Sequence, residues 1–137
     1  CMREQGWGRI IGVTTSLDTM IRGANLPYGA SKAAHEAFMA AIAQELAGSG
    51  VTANVLVPGG ATNTNFLPEN TDYDRALLIQ PDVMRSPVVW LCSEGANTFN
   101  GQRVIATAWD DSMPIDQCLA QASSPAAWPQ LGRQPIG

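Results

Sequence analysis

The run Val51-Thr52-Ala53-Asn54-Val55-Leu56-Val57 carries no charge and stops abruptly at Pro58-Gly59-Gly60. A short, mostly apolar segment bounded by turn residues reads as a strand covered on both faces. A second run, Ile10-Ile11-Gly12-Val13, has no clear alternation and reads the same way; it ends in Thr14-Thr15-Ser16. Between them, Tyr28 to Leu46 reads as a helix, with Asn25 as its cap, Pro27 at its start and Gly48-Ser49-Gly50 as its stop. Strand, helix, strand over this length is a βαβ unit, and such crossovers are right-handed. Both strands then end at one sheet edge, the edge at which open α/β sheets bind ligands.

On that helix, Tyr28 and Lys32 are four residues apart and share a face. Lys32 is the only lysine; every other cationic side chain is arginine. An ammonium is a compact charge on a flexible stem, unlike a planar guanidinium. A positive charge beside a phenol favours phenolate, which makes the phenol a usable proton donor and acceptor near neutral pH. Alone, such a pair more often lies on a solvated face. Here it opens toward a hydroxyl cluster and a glycine turn.

The strand ending in Thr14-Thr15-Ser16, the run Tyr28-Gly29-Ala30-Ser31-Lys32, Asn54 in the second strand and the Pro58-Gly59 turn, in this order, resemble the C-terminal half of a short-chain dehydrogenase/reductase. The resemblance covers residues 1 to about 109. It implies part of a doubly wound, Rossmann-like parallel sheet, about three strands with flanking helices, and an NAD(P)-dependent oxidoreductase that interconverts an alcohol and a ketone. It casts Tyr28 as the catalytic acid/base and Lys32 as its partner, which also bonds the nicotinamide ribose. The substrate-orienting hydroxyl falls on Thr15, with Ser16 as the alternative. Pro58, Gly59, Gly60 and Ala61 would approach the nicotinamide, with Thr64 binding the cofactor's amide or phosphate. The cofactor is NAD or NADP.

The glycine-rich phosphate loop of the family has no counterpart here. Gly6-Trp7-Gly8 is a poor match, and Cys1 to Gln5 reads as the tail of a helix. The chain therefore reads as the C-terminal half of such a protein, with the N-terminal half missing. The alternative function is a non-catalytic remnant that only self-associates. Loss of a neighbour leaves the strand at 9–14 as an open edge, which predicts a homo-oligomer or marginal stability.

The chain of 137 residues reads as one domain, 1–137, with a C-terminal arm over 110–137. A net charge of −4 without a basic stripe argues against nucleic acid, and no segment is apolar for long enough to span a membrane. Cys1, Cys92 and Cys118 have no metal or redox spacing and suit a cytoplasmic setting. Residues 60–80 read as a long connection with Pro68, followed by a short helix from Tyr73 to Ile79. The family places its substrate lid there. Pro81–Ser93 reads as a helix, Gln102–Thr107 as a third strand, Pro114–Ala122 as a last helix, and Ser123–Gly137 as a peripheral arm. His35 reads as a packing or subunit-contact residue, Asp110-Asp111 as a solvated turn with no metal, and the four tryptophans as packing residues. Ala33, Ala37, Ala40 and Ala41 suit helix propensity and also close helix–helix contact; the resemblance implies that this helix packs against its symmetry mate in a dimer.

Overall fold

The computed structural model describes residues 1–67 and 74–132. In chain order its main elements are α1 (Met2–Gln5), β1 (Gly8–Val13), α2 (Leu17–Met20), α3 (Tyr28–Glu45), β2 (Val51–Val57), α4 (Arg85–Leu91), β3 (Gln102–Ile105), α5 (Ile115–Ala122) and β4 (Ser123–Pro125). The sheet order is β1-β2-β3-β4. β1, β2 and β3 run parallel, and β4 pairs antiparallel with β3. The fold is thus α/β and Rossmann-like, with a fourth strand where the sequence predicts about three.

All 7 residues of β2 are buried, because it has a strand on each side and a helical layer on each face. Val51, Ala53, Val55 and Val57 pack under α3 with Met39, Ala43 and Leu46. Leu56 faces the other way, with Leu91, Val104, Ala106 and Ala122. Burying side chains of this size is worth roughly 1.5–3 kcal/mol each. Asn54 is buried and paired: its amide donates to the Phe99 carbonyl at 2.7 Å, and its Oδ1 accepts from the Gln102 N–H at 3.0 Å. It fixes the turn that leads into β3.

α3 begins at Tyr28 without a side-chain cap. Asn25 does not cap it; its amide donates to the Thr19 carbonyl at 3.2 Å from a short 3-10 turn, Gly23–Asn25. The helix predicted over Pro81–Ser93 is broken into a 3-10 turn, Pro81–Met84, followed by α4. Pro87 has no N–H to return to the preceding turn, so the α-helix restarts close to it. In that stretch Val83, Met84, Val88 and Leu91 pack inward, whereas Cys92 is exposed. The third strand ends at Ile105 and turns into a 3-10 segment, Ala106–Ala108. Between Tyr73 and Ile79, only a 3-10 turn at Arg75–Leu77 is described; Pro68 and Tyr73 lie outside the described residues.

The start of the predicted peripheral arm, residues 123–126, is part of the fold instead. Ser123–Pro125 extends the sheet, and Ala126 is buried in the core under α3. His35 packs against β1, where a Cβ on Gly12 would lie 2.9 Å from its Nε2. Among the tryptophans, Trp90 and Trp109 pack together, with ring centroids 5.6 Å apart. Trp7 is exposed, with the Arg9 guanidinium 4.6 Å from its ring. No helix among the described residues is long and apolar enough to cross a membrane.

Candidate active site at the carboxyl end of the first strand

Tyr28 occupies the first position of α3, and Lys32 follows one turn later. The Lys32 Nζ lies 5.8 Å from the centre of the Tyr28 ring. It also donates a 2.9 Å hydrogen bond to the Val13 carbonyl, the last residue of β1. The pair therefore faces the carboxyl end of β1, where the three hydroxyl residues begin. Gly29 makes this approach possible. A Cβ there would sit 2.2 Å from the Met20 carbonyl oxygen, so only glycine lets α2 and α3 meet beside Tyr28.

The three hydroxyls part company. Thr14 is buried and donates to Glu36 Oε2 at 2.8 Å. Ser16 caps α2: its Oγ accepts from the Thr19 N–H at 3.2 Å and pairs with the Thr19 hydroxyl at 2.8 Å. Thr15 is half-buried, and no hydrogen bond engages its hydroxyl among the described residues. Ser16 is thus occupied by a structural task that removes an orphan helix N–H, and Thr15 is the hydroxyl left available.

The turn after β2 is held by the Thr107 N–H, which donates to the Pro58 carbonyl at 3.1 Å. Gly59 has φ +106°, and a Cβ there would lie 1.9 Å from Thr107 Oγ1. Gly59, Gly60 and Ala61 are exposed. Ala61 and Asn63 bond to Ile79 through their main chains. The Thr64 carbonyl accepts from Arg75 at 3.3 Å. No described hydrogen bond links this turn to Tyr28 or Lys32. The chain beyond it does reach the site, since the Phe66 ring lies 5.2 Å from that of Tyr28.

Sequence reasoning missed Phe66, and it missed a buried ion pair two turns along from Tyr28. Arg103 Nη1 donates to Glu36 Oε2 at 2.7 Å, with side-chain exposures of 7% and 0%. Burial pulls the Arg103 guanidinium below the usual arginine range, while the Glu36 carboxylate opposes that shift; an arginine so shifted remains charged. A signal existed. Glu36 continues the spacing of Tyr28 and Lys32 along one helix face, and Arg103 places a charge within the third strand, directly before the apolar Val104-Ile105.

Among the described residues, no three histidine, cysteine, aspartate or glutamate side chains gather as a metal site. Asp111 accepts from Ser86 at 2.6 Å and from Trp109 Nε1 at 2.8 Å, and Asp110 accepts from Ser112 Oγ at 2.6 Å. These bonds hold both carboxyls below the usual range. A cavity of about 520 Å³ opens beside them, between α4 and α5. It contains none of the residues around Tyr28.

The sequence profile of the short chain dehydrogenases matches residues 1–74. The chain belongs to this family. It is 36% identical over 105 residues to a 2-dehydro-3-deoxy-D-gluconate 5-dehydrogenase from Pseudoalteromonas atlantica, covering 69% of this chain and 41% of that protein. It is 30% identical to an acetoacetyl-CoA reductase from Shinella zoogloeoides, covering 77% and 47%. Among solved structures it resembles a gluconate 5-dehydrogenase from Burkholderia cenocepacia in complex with NADP and tartrate, with TM-score 0.64, 25% identity, and coverage of 76% and 45%. The chain spans less than half the length of these short-chain dehydrogenase relatives.

Proposed function

We propose that the protein is an NAD(P)-dependent oxidoreductase that interconverts a small-molecule alcohol and ketone, with Tyr28 as the group that gives and takes the proton. The observation that carries this reading is the Lys32 ammonium, anchored on the Val13 carbonyl and 5.8 Å from the Tyr28 ring. A cation held there stabilises negative charge on the phenol oxygen as the proton leaves. Thr15, with its free hydroxyl, orients the substrate oxygen toward Tyr28.

The residues fit a nicotinamide cofactor. Exposed backbone at Gly59, Gly60 and Ala61, the Thr64 hydroxyl and the Lys32 ammonium are donors suited to a ribose and a carboxamide. Bound there, the nicotinamide supplies or accepts the hydride. Pro58 to Ala61 would line its ring, Lys32 and Tyr28 would hold its ribose, and Thr64 would hold its amide or phosphate. NADP bound to the Burkholderia relative supports the cofactor class.

The second reading is a self-associating module without turnover. It is favoured by an apolar surface on the outer side of α3, the exposed stripe at Ala37, Phe38 and Ala41, which has no partner among the described residues. Calorimetric titration with NADPH and NADH separates the two. The enzyme reading expects saturable binding of at least one, weakened tenfold or more by Lys32→Met. No binding at millimolar cofactor supports the module.

A further inference from the structure

We propose that the buried Glu36–Arg103 pair is a positioning device for the Thr15 hydroxyl, clamped from the C-terminal segment by Trp128. The inference rests on the reading of Thr15 as the substrate-orienting residue. Three consecutive residues at the carboxyl end of β1, Val13 to Thr15, are each gripped by a different charge. The Val13 carbonyl accepts from Lys32 Nζ, the Thr14 hydroxyl donates to Glu36 Oε2, and the Thr15 carbonyl accepts from Arg103 Nη2 at 2.9 Å. Lys32 and Glu36 lie one turn apart on α3, and Arg103 comes from β3, two strands away from β1. The carbonyls on either side of Thr14 are held, and no hydrogen bond engages the Thr15 hydroxyl among the described residues.

A merely structural role explains this poorly. Taking two charges out of water costs about as much as their attraction returns, and apolar residues of similar volume often do as well or better. The pair also uses more than its mutual contact. Glu36 Oε1 accepts from the Ala127 N–H at 3.3 Å, and the Trp128 ring lies 5.5 Å from the Arg103 guanidinium carbon. Ala127 and Trp128 adopt φ of 60° and 47°, a left-handed backbone that non-glycine residues seldom hold without compensation. That backbone brings one residue onto each half of the ion pair.

Two variants of the full-length protein test the idea. Arg103→Lys keeps a charge for Glu36 but cannot present two planar donors at once. Glu36→Leu combined with Arg103→Met keeps the volume and removes both charges. Near-UV circular dichroism establishes that each is folded. With acetoacetyl-CoA and NADPH, kcat should fall tenfold or more in both, with the KM for NADPH unchanged. A purely structural pair predicts that the folded double variant recovers wild-type kcat, and that result overturns the proposal. Hydrogen exchange supplies a readout independent of turnover. The Thr14 amide, bonded to the Leu56 carbonyl, and the Met20 amide, bonded to that of Ser16, should exchange about tenfold faster in both variants, while β2 keeps its protection. Wild-type exchange at Thr14 and Met20 in both variants overturns the proposal even if no turnover is found in any form. Absent turnover with accelerated exchange leaves the positioning role standing, and if NADPH and NADH also fail to bind, the oxidoreductase reading falls instead.

Discussion

The two faces of the sheet are built from different materials. Toward α4, Leu56, Leu91 and Val104 are fully buried among Trp90, Phe99 and Trp109. Toward α3, small residues such as Ala43, Ala53 and Val55 leave room for a carboxylate and a guanidinium inside the protein. One face stores stability in apolar area. The other accepts the cost of buried charge, and that charge converges on the loop beside Tyr28. The contrast teaches where substitutions should act: on the α4 face they should lower stability alone, and on the α3 face they should alter the site as well.

The largest stability effect is expected from Glu36→Leu alone, which strands the Arg103 guanidinium in the interior. Breaking a buried pair in this way costs about 3–5 kcal/mol. Denaturant unfolding checks it, and the double change with Arg103→Met should recover most of the loss. An equal loss in single and double variants would erase the distinction between the faces. Next comes Leu91→Ala, which leaves a cavity under α4 and should cost about 3 kcal/mol. Turnover per folded molecule should stay at the wild-type value, and a fall in kcat would show that the apolar face also reaches the site.

The smallest effect concerns the turn at Asp110 and Asp111. Their carboxyls are held low in the folded state, Asp111 first by its bond from Ser86 and Asp110 by that from Ser112. A depressed folded value means stability that is present above the ordinary carboxylate range and is lost as pH falls through the depressed value. Fluorescence of Trp109 and Trp90 should therefore change below about pH 4, and Asp111→Asn should bring much of that change to neutral pH. An unchanged signal in Asp111→Asn would separate the turn from the packing beneath it.

The sequence makes one half of this picture visible and hides the other. β1, β2 and α3 are legible because apolar runs, an alanine-rich stretch and glycine stops act locally. Tyr28 and Lys32 are legible because helical spacing places them together. Ser123-Ser124-Pro125 has no strand pattern of its own; the free edge of β3 recruits it. The 3-10 turn at Pro81–Met84 takes the place of the first turn of a helix that apolar spacing alone would continue, and Pro87 falls in the first turn of α4 instead. Glu36 and Arg103 are 67 positions apart, so only the sheet crossover brings them together. Ser16 and Thr15 are adjacent hydroxyls in sequence, and a capping bond is what distinguishes them.

The central claim is that the Tyr28 oxygen moves the proton. Its most direct test is Tyr28→Phe, measured by consumption of NADPH with a ketone that the wild-type protein reduces, with circular dichroism to establish the fold. Loss of this acid/base group should lower kcat by roughly 10²–10⁴-fold while the fold persists. Turnover that stays within a few-fold of wild type in the folded variant would contradict the account.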